Sequence, residues 1–194
     1  MSVIKYEVQV DSKGTKTWCL NGTLHREDGP AIESTNGYKS WYINGERHRE
    51  DGPAIIGSDG TKYWYINGIR HREDGPAIEF ADGRKEWYLN GKFHREDGPA
   101  TDDIDGSKYW YINGELHRED GPAIEFADGT KVWYRNGKYH RVDGPAIECA
   151  SGNKYWYING EELTKSEFNT RTKIKEMTIT EIQEALGYKI KVIE

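Results

Sequence analysis

The sequence WYINGIRHREDGPAIEFADGRKE occupies residues 64–86 and defines a 23-residue unit that recurs along the chain without insertions. Its Asn-Gly pair at 67–68 follows β-prone residues, which predicts a two-residue type I′ turn. The Ala-Asp-Gly at 81–83 predicts a three-residue hairpin loop with glycine in the left-handed region. Between them, Asp-Gly-Pro at 74–76 predicts a bend, because proline has no N–H for a ladder hydrogen bond. Each unit is therefore predicted to be a pair of hairpins joined by a bend.

The spacing of the unit is constant. The motif HRxDGPA begins at residues 25, 48, 71, 94, 117 and 140, and it contains all six histidines of the chain. All seven tryptophans keep the same period, and Asn-Gly begins three residues after each of them: Trp18, Trp41, Trp64, Trp87, Trp110, Trp133 and Trp156. A fixed period of this length is typical of a repeat architecture.

The two predicted turns fix the strand register within a unit. A turn at 67–68 places Tyr65 opposite Arg70 and Trp64 opposite His71. The loop at 81–83 places an acid opposite a lysine in most units, with Ile56 opposite Lys62 as the exception: Glu33–Lys39, Glu79–Lys85, Asp102–Lys108, Glu125–Lys131 and Glu148–Lys154. Opposite charges facing each other across two strands contribute roughly 0.2–1 kcal/mol, so their recurrence favours this register.

Composition limits the classes of protein to consider. Of the 194 residues, 35% are apolar and 31% charged, so seven Trp and thirteen Tyr are expected to supply much of the buried area. The net charge of −6 argues against a general nucleic-acid binder, which carries a basic excess. The start MSVIKYEVQV lacks the apolar run of a signal peptide, and no segment is long enough to span a membrane. We expect a cytoplasmic protein with neither nucleic acid nor membrane as its partner.

The run W-Y-x-N-G-x-x-H, followed by a glycine-containing bend and a later D-G, resembles MORN repeats. Those 23-residue β-hairpin units are built on Y-x-G-x-W-x-x-G-x-x-H-G-x-G, and Trp64, Gly68 and His71 match the W, the second G and the H. This chain has R-x-D-G-P-A where MORN has G-x-G, so it resembles a distinct MORN-like class. The complete unit is similar to uncharacterised repeat proteins encoded by tailed bacteriophages. The resemblance implies an elongated, twisted antiparallel sheet, a role in interaction or scaffolding, and no catalytic activity.

Together these observations predict an all-β fold: seven MORN-like hairpin repeats in one antiparallel sheet, with a small α+β cap at the C-terminus. We expect the array to span residues 1–160, with 3–10 as an N-terminal strand cap. In residues 161–194, Thr164 with Glu167 fits a helical capping box, and Thr180 with Gln183 fits a second one. A helix followed by the alternating Tyr188–Ile193 predicts a miniature β-α-β element. This segment is either a cap on the last repeat or a docking module.

The chemistry of the repeated motif favours a structural role. Acid–base catalysis needs one cleft with a perturbed pKa, whereas six copies provide six equivalent environments. Metal ligands must converge within about 2 Å of an ion, whereas a two-strand repeat advances ~10 Å. We expect no enzyme activity, no metal and no cofactor. Instead, the His, Arg and Asp of the motif are predicted to brace each bend: His25, Asp28, His48, Asp51, His71, Asp74, His94, Asp97, His117, Asp120, His140 and Asp143.

The function that the sequence favours is non-enzymatic binding of a protein. Given the resemblance to phage proteins, the partner would be a host protein such as a defence factor, which the chain would inhibit or adapt. Two alternatives remain: sequestration of a small ligand such as a nucleotide signal, and a scaffold that self-associates as a homo-oligomer. The candidate interaction surface comprises one tyrosine column and three departures from the repeat: Tyr42, Tyr65, Tyr88, Tyr111, Tyr134, Tyr157, Ile56, Asp103 and Arg135.

Overall fold

The fold was analysed in a computed structural model that describes residues 6–173 and Gly187. Its largest element is a sixteen-stranded antiparallel sheet, called here the ladder, in which successive strands of the chain pair in order. Most ladder strands are two residues long and flank the Asx-Gly loops. They are Glu7–Val10, Lys16–Leu20, Thr23–Leu24, Ile32–Glu33, Lys39–Ser40, Ile55–Ile56, Lys62–Tyr63, Ile78–Glu79, Lys85–Glu86, Thr101–Asp102, Lys108–Tyr109, Ile124–Glu125, Lys131–Val132, Ile147–Glu148, Lys154–Ile158 and Glu161–Leu163.

The Asn-Gly turns form a second row of elements beside the ladder. Five of them close separate two-stranded hairpins, called here the Asn-Gly hairpins. Their strands are Tyr42–Ile43 with Glu46–Arg47, Tyr65–Ile66 with Ile69–Arg70, Tyr88–Leu89 with Lys92–Phe93, Tyr111–Ile112 with Glu115–Leu116, and Tyr134–Arg135 with Lys138–Tyr139. Neighbouring hairpins are joined by backbone hydrogen bonds, since the N–H of Arg72 donates to Tyr88 and that of Gly91 donates to Arg70. The fold is therefore all-β, as predicted.

Trp64 marks the point where the strand changes partners. Its N–H donates to the carbonyl of Ala77 across the ladder (2.9 Å), whereas its own carbonyl accepts from the N–H of His71 in the hairpin (3.2 Å). The strand is therefore interrupted at the tryptophan, between Lys62–Tyr63 and Tyr65–Ile66. The strands next to the two ends of the ladder, Lys16–Leu20 and Lys154–Ile158, remain continuous, because each has a longer neighbouring strand: Glu7–Val10 pairs with the first, and Glu161–Leu163 with the second.

Both predicted turns are confirmed by the backbone. Asn67 and Gly68 have φ values of 49° and 72°, the left-handed pair that a type I′ turn requires. The register that follows from it is also confirmed, since Tyr65 pairs with Arg70. In the other turn Gly83 has φ of 92°, and its N–H donates to the carbonyl of Phe80.

All five predicted pairs of an acid with a lysine in the ladder are confirmed, and so is the predicted exception. The pairs are Glu33–Lys39, Glu79–Lys85, Asp102–Lys108, Glu125–Lys131 and Glu148–Lys154, and Ile56 lies opposite Lys62 as the exception. The charge pattern therefore reported the register of the ladder correctly.

The core is thin and follows the motif alanines. The alanine of every DGPA segment is completely inaccessible to solvent: Ala31, Ala54, Ala77, Ala100, Ala123 and Ala146. Beside them Ile55, Ile78, Ile124 and Val132 are buried in the ladder. Because Ala77 and Ile78 are consecutive and both buried, strict alternation of buried and exposed side chains does not hold at this point.

The two ends of the array differ. At the first end, Glu7–Val10 pairs with Lys16–Leu20, which agrees with the predicted N-terminal strand, although residues 3–5 lie outside the described part. At the other end the predicted helix is confirmed at Lys165–Thr172, with both hydrogen bonds of the Thr164–Glu167 capping box present. Phe168 is buried and the helix packs on the last two ladder strands. The second capping box and the β-α-β element fall outside the described residues.

Within residues 6–173, the one helix is too short and too polar to cross a membrane.

Candidate functional site

The arginine of each HRxDGPA segment, called here the bend, stacks on the tryptophan of the same unit. The Arg72 guanidinium carbon lies 4.2 Å from the centre of the Trp64 ring. Its Nε donates to Asp74 Oδ1 (2.9 Å) and one terminal nitrogen donates to the carbonyl of Pro76 (3.2 Å). The same stack recurs in all six bends: Arg26 on Trp18, Arg49 on Trp41, Arg95 on Trp87, Arg118 on Trp110 and Arg141 on Trp133.

The aspartate of each bend is electrostatically tuned by this arginine. The hydrogen bond and charge of Arg72 hold the pKa of Asp74 below its ordinary value, and the matching arginine does the same in the other five bends: Asp28, Asp51, Asp97, Asp120 and Asp143. A lowered pKa keeps these carboxylates ionised at neutral pH. The carboxylate and the guanidinium are therefore both charged when they pair.

The glycine of the bend makes room for the arginine. A Cβ atom placed on Gly75 would lie 2.9 Å from the Arg72 guanidinium carbon. The corresponding distance is 2.9–3.1 Å in the other five bends: Gly29, Gly52, Gly98, Gly121 and Gly144. Carbon atoms do not pack this closely, so any other residue here would displace the stacked arginine. This explains why a glycine follows three residues after the arginine in every copy.

The histidine of each bend connects one unit to the next. Nδ1 of His71 accepts a hydrogen bond from the backbone N–H of Asn90, one unit further along (3.2 Å), and lies 2.9 Å from the Asn90 side-chain oxygen. The corresponding bonds join His25 to Asn44, His48 to Asn67, His94 to Asn113, His117 to Asn136 and His140 to Asn159. The sequence placed His71 opposite Trp64, which its backbone hydrogen bond supports, but the ring bonds to the neighbouring unit.

Five clefts lie between the six bends, and we number them cleft 1 to cleft 5 along the chain. Their volumes run from about 370 Å³ for cleft 1 to about 840 Å³ for cleft 4. One wall of each cleft is formed by a bend, through its Arg, the residue after that Arg, its Asp and its Gly. The other wall is formed by the next unit, through its Trp and through the His, Arg, following residue and Asp of its bend. An apolar hairpin residue completes clefts 1 to 4: Ile43, Ile66, Leu89 and Ile112. The residues that line these clefts were not predicted from the sequence.

Cleft 5 differs from the other four. Arg135 replaces the apolar hairpin residue, and Val142 replaces the glutamate of the bend. Arg135 reaches Glu119 of the preceding bend at 3.2 Å. The sequence shows that both departures fall in one unit. Only the structure shows that the two residues line the same cleft.

The tyrosine column predicted as an interaction surface is half-buried in all six units. Phe93 stacks between Tyr88 and Tyr111 at ring distances of 4.2 and 5.1 Å, and Tyr139 lies similarly between Tyr134 and Tyr157. Burial raises the pKa of Tyr88 to about 12. In this region the tyrosine rings pack against aromatic rings of their own and of the neighbouring hairpin, which covers part of their surface. Their role in binding stays a prediction.

The three departures lie at different places. Ile56 is half-buried in the ladder, Asp103 is exposed and accepts a hydrogen bond from the Tyr109 hydroxyl (2.9 Å), and Arg135 lines cleft 5. The structure does not bring the three together. No group of three or more His, Cys, Asp or Glu side chains suited to hold a metal occurs in the described part of the chain.

Comparison with known proteins adds no assignment: no family model and no curated protein matches this chain.

Proposed function

We propose that the chain is a non-enzymatic repeat protein that binds a protein partner along the row of clefts. The observation that carries this proposal is the repetition of one cleft five times on one array, with walls that combine indole rings and charged side chains. Repeat arrays commonly use such extended surfaces for binding. Tryptophan and arginine are also the residues most enriched at binding hot spots.

The absence of enzyme activity is part of the proposal. In each bend the arginine is engaged by the Trp ring, the aspartate and the proline carbonyl, and the histidine is engaged by the next turn. Groups tied to structural partners in six identical settings are poorly placed for proton transfer to a substrate. The resemblance to phage repeat proteins favours a partner from the bacterial host, which the chain would inhibit or adapt.

Sequestration of a nucleotide is supported by cleft size, but the chemistry of clefts 1 to 4 disfavours it. Each of these clefts contains four carboxylates and two arginines, and a phosphate group would meet a net negative wall. The arginines are already paired, as Arg72 is with Asp74, so they offer little to a second anion. A partner with cationic groups fits the same walls better.

Self-association has one observation in its favour. The terminal ladder strand Glu7–Val10 pairs with one neighbour within the described residues, and Val8 and Val10 are 52% and 61% exposed. An exposed edge strand can pair with a second copy. Native mass spectrometry at micromolar concentration would show a dimer if this edge is used.

The proposed function is tested by affinity capture from the lysate of a bacterial host with three forms of the protein. The cleft variant carries Glu73→Lys and Glu96→Lys, and the control carries Glu46→Lys and Glu115→Lys at exposed hairpin positions outside the clefts. We expect the wild type and the control to retain one protein at a fixed ratio, and the cleft variant to lose it. Capture by all three forms alike would contradict binding along the clefts. A small molecule released on heating, with no captured protein, would favour sequestration.

A further inference from the structure

We propose that clefts 1 to 4 form a track for an extended basic segment of the partner, with a lysine or arginine at every third position. This inference rests on the proposed function, because it names the part of a protein partner that the clefts would receive. It is carried by three independent features: the charge of the clefts, the change at cleft 5, and the spacing of the repeats.

The first feature is an uncompensated negative charge in each of clefts 1 to 4. Each is lined by two arginines and four carboxylates, so two carboxylates remain without a matching guanidinium. The aspartates hold the stacked arginines, whereas each glutamate of the bends lies only at 3.6–3.9 Å from Nε2 of the histidine in its own bend. Glu119 also pairs with Arg135. The side chains of these glutamates are between 60% and 87% exposed: Glu27, Glu50, Glu73, Glu96 and Glu119.

The walls also suit the stem of a basic side chain. In cleft 3 the Trp87 ring and Leu89 lie beside the carboxylates of Glu73 and Glu96. A lysine or arginine packs its methylene chain on apolar surface while its charged end stays near water. Such a cleft therefore offers an apolar wall to the stem and carboxylates to the head group.

The second feature is the loss of this charge at cleft 5. There Val142 takes the place of a glutamate and Arg135 is added, so three arginines balance three carboxylates. Arg135 also pairs with Glu119, which cleft 4 and cleft 5 share. The acidic track consequently ends in the unit of Arg135, and it has one fixed end along the array.

The third feature is the match between the repeat and an extended chain. Each unit adds two strands to the ladder, and strands lie ~4.8 Å apart, so neighbouring clefts are ~10 Å apart. Three residues of an extended peptide in the polyproline II conformation span ~9 Å, and every third side chain then lies on the same face, because that helix has three residues per turn. One basic side chain in every three residues would then reach each cleft in turn.

Synthetic peptides test the spacing directly. The probes are fluorescent Lys-Gln-Gln repeated four times and Lys-Gln-Gln-Gln repeated four times, with fluorescence anisotropy as the readout. We expect the three-residue spacing to bind at least about fivefold more tightly, and the binding to weaken as salt rises. Equal affinities for the two spacings, or no binding of either at low salt, would overturn the track.

Two matched variants show where the peptide binds. Glu73→Gln with Glu96→Gln removes charge inside the clefts, and Glu46→Gln with Glu115→Gln removes the same charge from the hairpins. We expect the first pair to weaken binding about tenfold and the second to leave it within about twofold. Circular dichroism confirms that both remain folded. Equal weakening by the two pairs would show that net charge, rather than the clefts, attracts the peptide.

Extending the track gives an independent result. Arg135→Ile with Val142→Glu should turn cleft 5 into a fifth acidic cleft, so that a peptide with five repeats of Lys-Gln-Gln gains affinity over one with four. No such gain would contradict the assigned end of the track. Loss of peptide binding with retained, cleft-dependent capture of a partner would refute the basic segment and leave the proposed function standing.

Discussion

Nδ1 of His71 accepts a hydrogen bond from the backbone N–H of Asn90 in the following unit, over 3.2 Å. A backbone N–H can only donate, so a neutral ring that accepts this bond carries its proton on Nε2, whereas a ring with a proton on Nδ1 donates instead to the Asn90 side-chain oxygen, 2.9 Å away. Asn90 is also the left-handed residue of its own turn, with φ of 51°. The asparagine of the turn thus shapes its own hairpin and also bonds to the histidine of the preceding unit.

Replacing His71 by alanine should lower the free energy of unfolding by about 1 kcal/mol, because the exposed Asn90 N–H loses its protein acceptor and turns to water. Asn90→Gly should cost less, since glycine keeps the positive φ of the turn. Urea denaturation followed by tryptophan fluorescence measures both.

Asn21 supplies the control for that experiment. It forms the same turn in the first unit, whereas all six histidines of the chain bond to later asparagines. Asn21→Gly should therefore affect the turn alone. An unchanged free energy of unfolding in His71→Ala would show that the histidine does not couple the two units.

The contacts within a unit could be predicted from the sequence, because turn chemistry determines strand register. Asn67-Gly68 allows only one short loop, and the acid–lysine pairs such as Glu79–Lys85 report the same register a second time. The capping box at Thr164 was equally local. In each case the interacting residues lie within a few positions of one another.

The contacts between units could not be predicted in the same way. In a strict repeat every position is followed 23 residues later by a similar one, so the pattern does not say which residue touches which. The His71–Asn90 bond and the clefts depend on how neighbouring hairpins lie side by side. The break at Trp64 also arises there, because that residue divides its hydrogen bonds between two partners.

The arginine stack should be sensitive to the shape of the cation. Arg72→Lys keeps the charge but loses the planar group that lies on Trp64 and the fork that reaches both Asp74 and Pro76. We expect a loss of about 1–2 kcal/mol in the free energy of unfolding. The same change at the exposed Arg135, which forms one ion pair with Glu119, should cost less than about 0.5 kcal/mol.

The carboxylate of the bend is tested separately with Asp74→Ala. Without the carboxylate, the Arg72 guanidinium loses one of the groups that hold it in place, and the melting temperature should fall. Differential scanning calorimetry measures the change. An unchanged melting temperature would refute the brace assigned to the bends, even if the arginine itself proves important.

Gly75→Ala tests the close approach between the bend glycine and the arginine. The backbone of Gly75 is outside the left-handed region. At such a position, replacing glycine by alanine ordinarily stabilises a protein by about 0.4–1 kcal/mol, because it lowers the conformational entropy of the unfolded chain. Here the added Cβ would displace the Arg72 guanidinium, so we expect a loss of about 1–2 kcal/mol instead. The sign of the change therefore distinguishes the two effects.

The double variant Gly75→Ala with Arg72→Lys completes this comparison. If alanine acts by displacing the stacked arginine, the two changes remove the same interaction and their costs should not add. Chemical denaturation of the four proteins gives the coupling energy. Additive losses would mean that Gly75 is needed for a reason other than the stack.

Acid should weaken the array through the bend aspartates. Their pKa values are lowered in the folded protein by the paired arginines, from an ordinary value of 3.8 that the unfolded chain regains. The unfolded state then binds more protons in the window below about pH 4, so stability rises with pH there. This contribution is complete above the unfolded pKa and is lost as the pH falls through the folded pKa.

Melting temperatures from pH 6 to pH 2 should show the decline, and Asp74→Asn should make it shallower by removing one of six titrating groups. A decline of the same slope in both proteins would place the acid sensitivity elsewhere, for example in the turn residue Asp82, whose pKa is lowered by Arg84.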